Sequence, residues 1–260
     1  MLRKISRWIP FFLLQSVLPK RIIFYGHVIS DNKHPAINRY RYPTWNEFFK
    51  FINQMTLLGY VFVSFDEYLK DDDNKKILLT FDDGFKEILD MHKKLKEKKI
   101  PYMIFFNQQD AHEDIQKLLD TEDNIFLSDN DLLKLKNENV FIGYHGNKHL
   151  NHISKIISIE IIEDNFSINK ENFHYLSKPY SFAYPFGAPL NYKQINQYLN
   201  KNFGFTYFFD TKAKFGKDDN HFFRVSLDTS NQNISNSYII DNIKFSVLKL
   251  ILKRFGLDKY

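Results

Sequence analysis

Residues 78–85 read LLTFDDGF, an apolar run that ends in two adjacent carboxylates, Asp82 and Asp83, followed by Gly84. Neighbouring like charges raise one another's pKa unless a cation takes one of them, so the doublet predicts a cation. Candidate ligands stand in VFIGYHGNKHLNH, where His145 and His149 are four residues apart, a spacing that places two imidazoles on one side of a helical turn. With one carboxylate they make three ligands and leave positions open for water, the pattern of a catalytic site. His152 follows three residues later and ranks below them as a ligand. The third piece is SFAYPFG, residues 181–187, where Pro185 and Gly187 fix an abrupt turn that could aim the amide of Phe186 or its neighbour at a developing oxyanion. Taken singly, each piece is an ordinary turn or a structural histidine. Their coincidence, in this order and at successive strand ends, is what points to catalysis.

The elements that must position these residues are read from alternation. Apolar runs suited to strands cover 21–28, 60–64, 76–81, 102–107, 140–144, 180–184, 205–209 and 222–227, with helical patterns between several of them. That order predicts βα units around a largely parallel sheet, as a closed barrel or an open doubly wound sheet. No GxGxxG or GxxxxGK[ST] follows an early strand, so nucleotide-binding versions of the open sheet lose support. Thr44 and Glu47 form a capping box ahead of WNEFFKFINQMTLL, and Phe85, Ile88, Leu89, His92 and Leu95 share one face of the next helix. Asp82 and Asp83 then lie at a strand's C-terminal tip, the rim where barrel enzymes gather their chemistry. The polar stretch 108–124 reads as an excursion over one face.

The chain has 260 residues, 43% of them hydrophobic, enough for a substantial core. Its net charge of +5 is spread in interleaved stretches such as LKDDDNKK, which are solvated faces and not a nucleic-acid groove. Having no cysteine, it can build neither disulfides nor thiolate metal sites. The opening MLRKISRWIPFFLLQSVLPKR is too short to span a bilayer and has no small-residue cleavage site. Near the end, Ile243, Val247, Leu250 and Ile251 fall at helical spacing among Lys244, Lys249, Lys253 and Arg254. Both basic amphipathic ends pack on the fold or attach peripherally to anionic lipid. The expected organisation is an extension over 1–20, a barrel over 21–235 and a terminal helix over 236–260, placed in the cytoplasm or on the inner face of a membrane.

Together TFDDG, IGYHGNKHLNH and FAYPFG resemble the polysaccharide deacetylase family, carbohydrate esterases that remove N-acetyl groups from amino sugars. The likeness extends to an early YGHV and runs from Tyr25 to Leu227. It implies a distorted, TIM-like (β/α) barrel of seven to eight mostly parallel strands, with Asp82 as catalytic base and Asp83, His145 and His149 as ligands of one divalent metal. Zinc is the first choice, with Co2+, Ni2+, Fe2+ or Mn2+ as alternatives. Tyr184, Pro185 and Phe186 would form the substrate and oxyanion turn. The substrate implied is an N-acetylated glycan or a sugar-lipid precursor; a weakly catalytic carbohydrate-binding barrel and a deacylase of non-carbohydrate amides are the alternatives. Three departures stand out. Gly146 replaces a Ser or Thr after the first metal histidine. Ala183 and Tyr184 stand where an arginine precedes the Pro-aromatic turn, so Arg224 in FFRVSLD becomes the candidate to orient Asp82. The late Leu-x-His that carries the general acid is missing, which leaves His221 or His27 to substitute.

Overall fold

In the computed structural model the strand and helix alternation is laid out over residues 15–39, 41–166, 168, 173–212, 214–229 and 238–254, with Ser6, Trp8 and Leu13 also described. Most of the expected 1–20 extension lies outside the described residues. In chain order the elements are β1 (Arg21–Gly26), α1 (Trp45–Leu57), β2 (Val61–Phe62), α2 (Phe65–Leu69), β3 (Lys76–Phe81), α3 (Ile88–Glu97) and β4 (Met103–Phe106). There follow α4 (Gln109–Leu119), α5 (Asp129–Asn137), β5 (Phe141–Tyr144), α6 (Ile159–Phe166), β6 (Ser181–Ala183), α7 (Tyr192–Phe203) and β7 (Tyr207–Asp210). The last are β8 (Lys217–Asp218), β9 (His221–Phe223), β10 (Val225–Ser226) and α8 (Tyr238–Arg254).

The sheet runs in the order β10-β1-β3-β4-β5-β6-β7-β9-β8, with β2 beside β3. Its pairings are parallel except for the short β8–β9 ladder. The expected eighth strand is divided at Arg224: β9 pairs with β7, and β10 pairs with β1. One stretch, 221–226, therefore touches both ends of the sheet, and Arg224 sits where it passes from one to the other.

Side-chain alternation sorts the apolar residues into two layers. From β3, Ile77, Leu79 and Phe81 join the cluster that the helices cover, with Phe48, Met55, Met91 and Leu95. Leu78 faces the other way, into an interior shared with Ile23, Met103, Phe105, Ala183, Phe209 and Phe222. All six residues of β3 are buried, including Lys76, whose ammonium donates to Glu67 O at 2.7 Å and to Lys70 O at 3.2 Å. α1 begins where the sequence says, whereas Phe85, expected on the face of the next helix, precedes α3 and forms an isolated bridge with Phe126. Thr44 caps α1 in a complete capping box with Glu47, an arrangement that contributes about 1 kcal/mol.

Two expectations change. The polar stretch 108–124 contains α4, because Ala111, Ile115 and Leu119 recur every fourth residue and bury one face under an otherwise polar exterior. A short hairpin strand, β8, precedes β9 and has too few residues to show a period. At the end of the chain, α8 buries Ile239, Ile243 and Val247 against the fold. Its Asn242 donates to Ser226 O at 2.9 Å and to Asp228 O at 3.1 Å, tying the helix to the end of β10. Among the described residues no helix is long and apolar enough to cross a membrane.

Candidate active site

Thr80 and Asp82 continue the inward row of β3, and Asp82 N–H donates to Gly26 O at 2.9 Å, as one more step of the ladder. In extended backbone Asp83 would then point outward. Instead Asp83 has φ 69° and Gly84 φ 66°, so two consecutive left-handed residues curl the chain over the rim and bring the second carboxylate back beside the first, both facing His145 Nε2. Aspartate tolerates this region better than most side chains. Glycine suits residue 84 because its φ is one that side chains rarely adopt, and a Cβ there would stand 3.3 Å from Phe106 Cβ.

Asp83, His145 and His149, all buried, each offer one ligand atom within 4.8 Å of the others. Asp83 Oδ1 lies 3.2 Å from His149 Nε2 and 3.5 Å from His145 Nε2. Ligand atoms about 2.0–2.1 Å from a tetrahedral ion stand roughly 3.3–3.4 Å apart, so the spacing fits a zinc-like ion. The hydrogen bonds agree. His145 Nδ1 is 2.7 Å from Ala183 O and must donate to it, which leaves Nε2 with a lone pair facing carboxylate oxygens of Asp83 at 3.5 Å and Asp82 at 3.9 Å. A lone pair aimed at anionic oxygens is satisfied by a cation between them. Burial pushes His145 down to about 4 despite both aspartates, which favours the neutral, ligating form. Asn107 Nδ2 donates to Asp83 Oδ1 at 3.2 Å, and Asp114 accepts from His149 N–H at 3.1 Å. Burial alone would raise the Asp83 carboxyl, but the charge and hydrogen bond of His149, followed by His27, hold it far below the usual range.

Gly146 has φ 109°, and a Cβ there would meet Asn165 O at 3.2 Å. Backbone pairing holds this loop: Asn165 O accepts from Asn147 N at 3.2 Å and Lys148 N at 3.3 Å, while Gly146 O accepts from Gln108 N at 3.1 Å. His152 turns away from the cluster, its Nε2 meeting Asn165 Nδ2 at 3.0 Å.

Arg224, 0% exposed, reaches from the break between β9 and β10 to Asp82. Its two terminal nitrogens meet the two carboxylate oxygens at 2.7 and 2.8 Å, and Nη1 also donates to Thr80 Oγ1 at 3.0 Å. The guanidinium lies among Tyr25, Phe105 and Phe209, with ring centroids at 4.7, 5.4 and 6.0 Å. Burial pushes the Asp82 carboxyl up; the adjacent guanidinium, with His145, outweighs it and keeps the group ionised below the usual range. On the opposite side, His27 Nδ1 is 2.6 Å from Asp228 Oδ2, and Nε2 faces Asp83 Oδ2 at 3.7 Å. Burial would lower His27, but the hydrogen bond to Asp228 and the charge of Asp83 raise it to about 9.

The turn after β6 has Phe186 at φ 58° and Gly187 at φ 115°. Tyr184 N donates to Phe209 O at 3.0 Å, Gly187 N to Tyr184 O at 3.1 Å and Ala188 N to Asp210 Oδ1 at 3.0 Å. Pro185 has no N–H, so Phe186 carries the one amide of the turn without a partner among the described residues. Its ring lies 4.7 Å from that of His149. Tyr184, by contrast, is buried with its hydroxyl on Asn196 Oδ1 at 2.6 Å, turned away from solvent.

His221, expected as a candidate acid, is 1% exposed and lies behind this turn, with Nε2 3.3 Å from Asp210 Oδ2 and Nδ1 3.2 Å from Asn196 Nδ2. The structure thus brings together Asp82, Asp83, His145, His149, Arg224 and His27, with the Phe186 ring against His149, and leaves His221 and His152 outside. Asp228, Asn107 and Asp210 were not read from the sequence. Asp228 carried a signal, since it immediately follows the last strand and therefore sits on the same rim.

A family model described as polysaccharide deacetylase matches residues 69–208, more than half of the chain. No curated protein matches by sequence. Among solved structures, a polysaccharide deacetylase from Bacillus cereus superposes with a TM-score of 0.60 at 16% identity, over 87% of this chain and 68% of that one. A Streptococcus pyogenes deacetylase, solved in complex with acetate, gives 0.60 at 15% identity over 87% and 97%. A de-N-acetylase from Aggregatibacter actinomycetemcomitans gives 0.57 at 15% identity over 85% and 99%. At these identities the structural likenesses show the fold.

Proposed function

Because the chain belongs to the polysaccharide deacetylase family, we propose that it is a metal-dependent hydrolase that removes N-acetyl groups from an amino sugar within a polysaccharide or a glycolipid precursor. The observation that carries this reading is one cluster in which Asp82, gripped by Arg224, stands beside the Asp83, His145 and His149 set.

Those three residues would hold a divalent ion, zinc by donor set and spacing, which when bound supplies Lewis-acid polarisation of the acetyl carbonyl and acidifies water. Asp82 accepts the proton of the attacking water; its ionised form is secured by Arg224, which also fixes the plane of the carboxylate. The Phe186 N–H, uncommitted within its turn, donates to the oxygen on which negative charge develops. His27 gives a proton to the departing amine. Asp228 holds Nδ1 and so directs Nε2 toward Asp83, and the side chain is 18% exposed, reachable by a ligand from the rim. The amide C–N bond breaks as the amine gains that proton, and acetate and a free amino sugar leave.

The test is acetate release from an oligomer of N-acetylglucosamine by chelator-stripped protein reloaded with Zn2+. Activity should return with metal, and Asp82→Asn should abolish it while the protein still binds one ion. Undiminished release by Asp82→Asn would overturn the reading. Glycan binding without acetate under any divalent metal would leave only a carbohydrate-binding barrel, and equal turnover of acyl amines lacking a sugar ring would remove the glycan from the assignment.

A further inference from the structure

The Phe186 amide is useful as an oxyanion donor only if its backbone is held, because a left-handed φ at a phenylalanine is strained by roughly 1–3 kcal/mol and must be imposed by its surroundings. The restraint comes from the tip of β7. Thr211 Oγ1 donates to Phe186 O at 2.7 Å. Asp210 Oδ1 accepts from Ala188 N–H at 3.0 Å, and also from Lys212 N–H at 3.2 Å. Gly187 makes this approach possible, since a Cβ there would fall 2.5 Å from Thr211 Oγ1 and 3.0 Å from Asp210 Oδ1.

Asp210 is fixed from behind by a chain of bonds whose directions follow from one another. Tyr184 O–H donates to Asn196 Oδ1, so Asn196 Nδ2 donates to His221 Nδ1, and His221 Nε2–H donates to Asp210 Oδ2. The chain starts on the first residue of the turn and ends on the carboxylate that holds its last residue. Both nitrogens of His221 are committed to this frame. Burial would raise the Asp210 carboxyl, but the hydrogen bonds from His221 and Ala188 with the charge of Lys212 hold it below its usual value, so it stays an acceptor.

We propose, on the basis of the deacetylase reading above, that Thr211 and the Asp210–His221 pair are positioning residues that hold the Phe186 N–H where the oxyanion forms. Thr211 restrains the carbonyl of Phe186 itself, and Asp210 with His221 anchors the far end of the turn. Neither touches the substrate.

The experiment compares wild type with Thr211→Val, which keeps shape and loses the hydroxyl, and Thr211→Ser, which keeps the hydroxyl. Steady-state kinetics of acetate release are measured, along with inhibition by a methylphosphonamidate analogue of N-acetylglucosamine, whose tetrahedral anion imitates the oxyanion. Thr211→Val should lower kcat about tenfold or more with KM and zinc content unchanged, short of the ~10²–10³ lost when an oxyanion donor is removed outright. Affinity for the analogue should fall in proportion to kcat/KM, and Thr211→Ser should recover most of both. A Thr211→Val enzyme with wild-type kcat and analogue affinity overturns the positioning role while leaving the deacetylase reading intact. So does a loss that appears only in KM or that serine fails to restore. His221→Gln supplies an independent reading: its loss should also be confined to kcat and analogue affinity, and an unchanged kcat removes the pair from the proposal. A zinc-loaded wild type that releases no acetate rejects the deacetylase reading, and this inference with it.

Discussion

Outside the ligand set, the described residues include two further histidine-aspartate pairs, His27–Asp228 and His221–Asp210, whose histidines face different surroundings. In the His27–Asp228 pair the aspartate takes Nδ1 at 2.6 Å and Nε2 faces Asp83 at 3.7 Å. In the His221–Asp210 pair the aspartate takes Nε2 at 3.3 Å, an asparagine takes Nδ1, and the ring is walled in by Tyr184 and Tyr192. In the proposed mechanism the same two residue types serve as a proton donor in one place and a brace in the other. What separates them is which nitrogen the carboxylate holds and whether the remaining one faces Asp83 of the ligand set or an asparagine of the frame.

The largest effect expected from breaking this contrast is at His27. His27→Ala should lower kcat by about 10²–10⁴, the usual contribution of a general acid, with metal content unchanged. A loss of less than tenfold would return the acid to another group. Next is Arg224→Met, which leaves Asp82 buried without its partner and should destabilise the fold by roughly 3–5 kcal/mol in urea denaturation. A variant as stable as wild type would mean that the pair contributes only to chemistry.

The brace should show itself in acid stability. Because the Asp210 carboxyl is held below its usual value, its contribution is complete above the unfolded-state pKa of about 3.9 and is lost as pH falls through the lower folded value. Asp210→Asn should therefore cost about 1–3 kcal/mol at pH 7, and progressively less below about pH 4. A difference that grows toward acid pH would contradict the sign. The smallest effect is at His152, whose Nε2 is held by Asn165. His152→Gln should leave zinc affinity within about twofold by competition titration with a chelator, whereas a loss of an order of magnitude, the scale of a perturbed ligand environment, would make it a ligand.

Much of the site was legible because it is local. An apolar run places its last residues at a strand tip, and a glycine after it permits the turn; the helical turn expected at His145 and His149 is not formed, and a loop through Gly146, with φ 109°, brings the two imidazoles together instead. The strand order was legible only as alternation. Arg224 could be offered as the partner of Asp82, but 142 residues separate them, and their contact exists because the last strand breaks there and touches both ends of the sheet. His27 and His221 were indistinguishable as candidates, since each is a histidine beside a strand. The carboxylate that decides for His27 is 201 residues away, and the asparagine that occupies His221 lies on a helix facing it.

The sequence by itself determined the ligand types, the carboxylate doublet and the turn chemistry, because backbone period and steric permission act over a few residues. Tertiary structure alone decided which acid is gripped by arginine, which histidine faces the ligand set and which amide of the turn is left to donate. Those depend on hydrogen-bond partners and burial, and both are set by how distant strands pair.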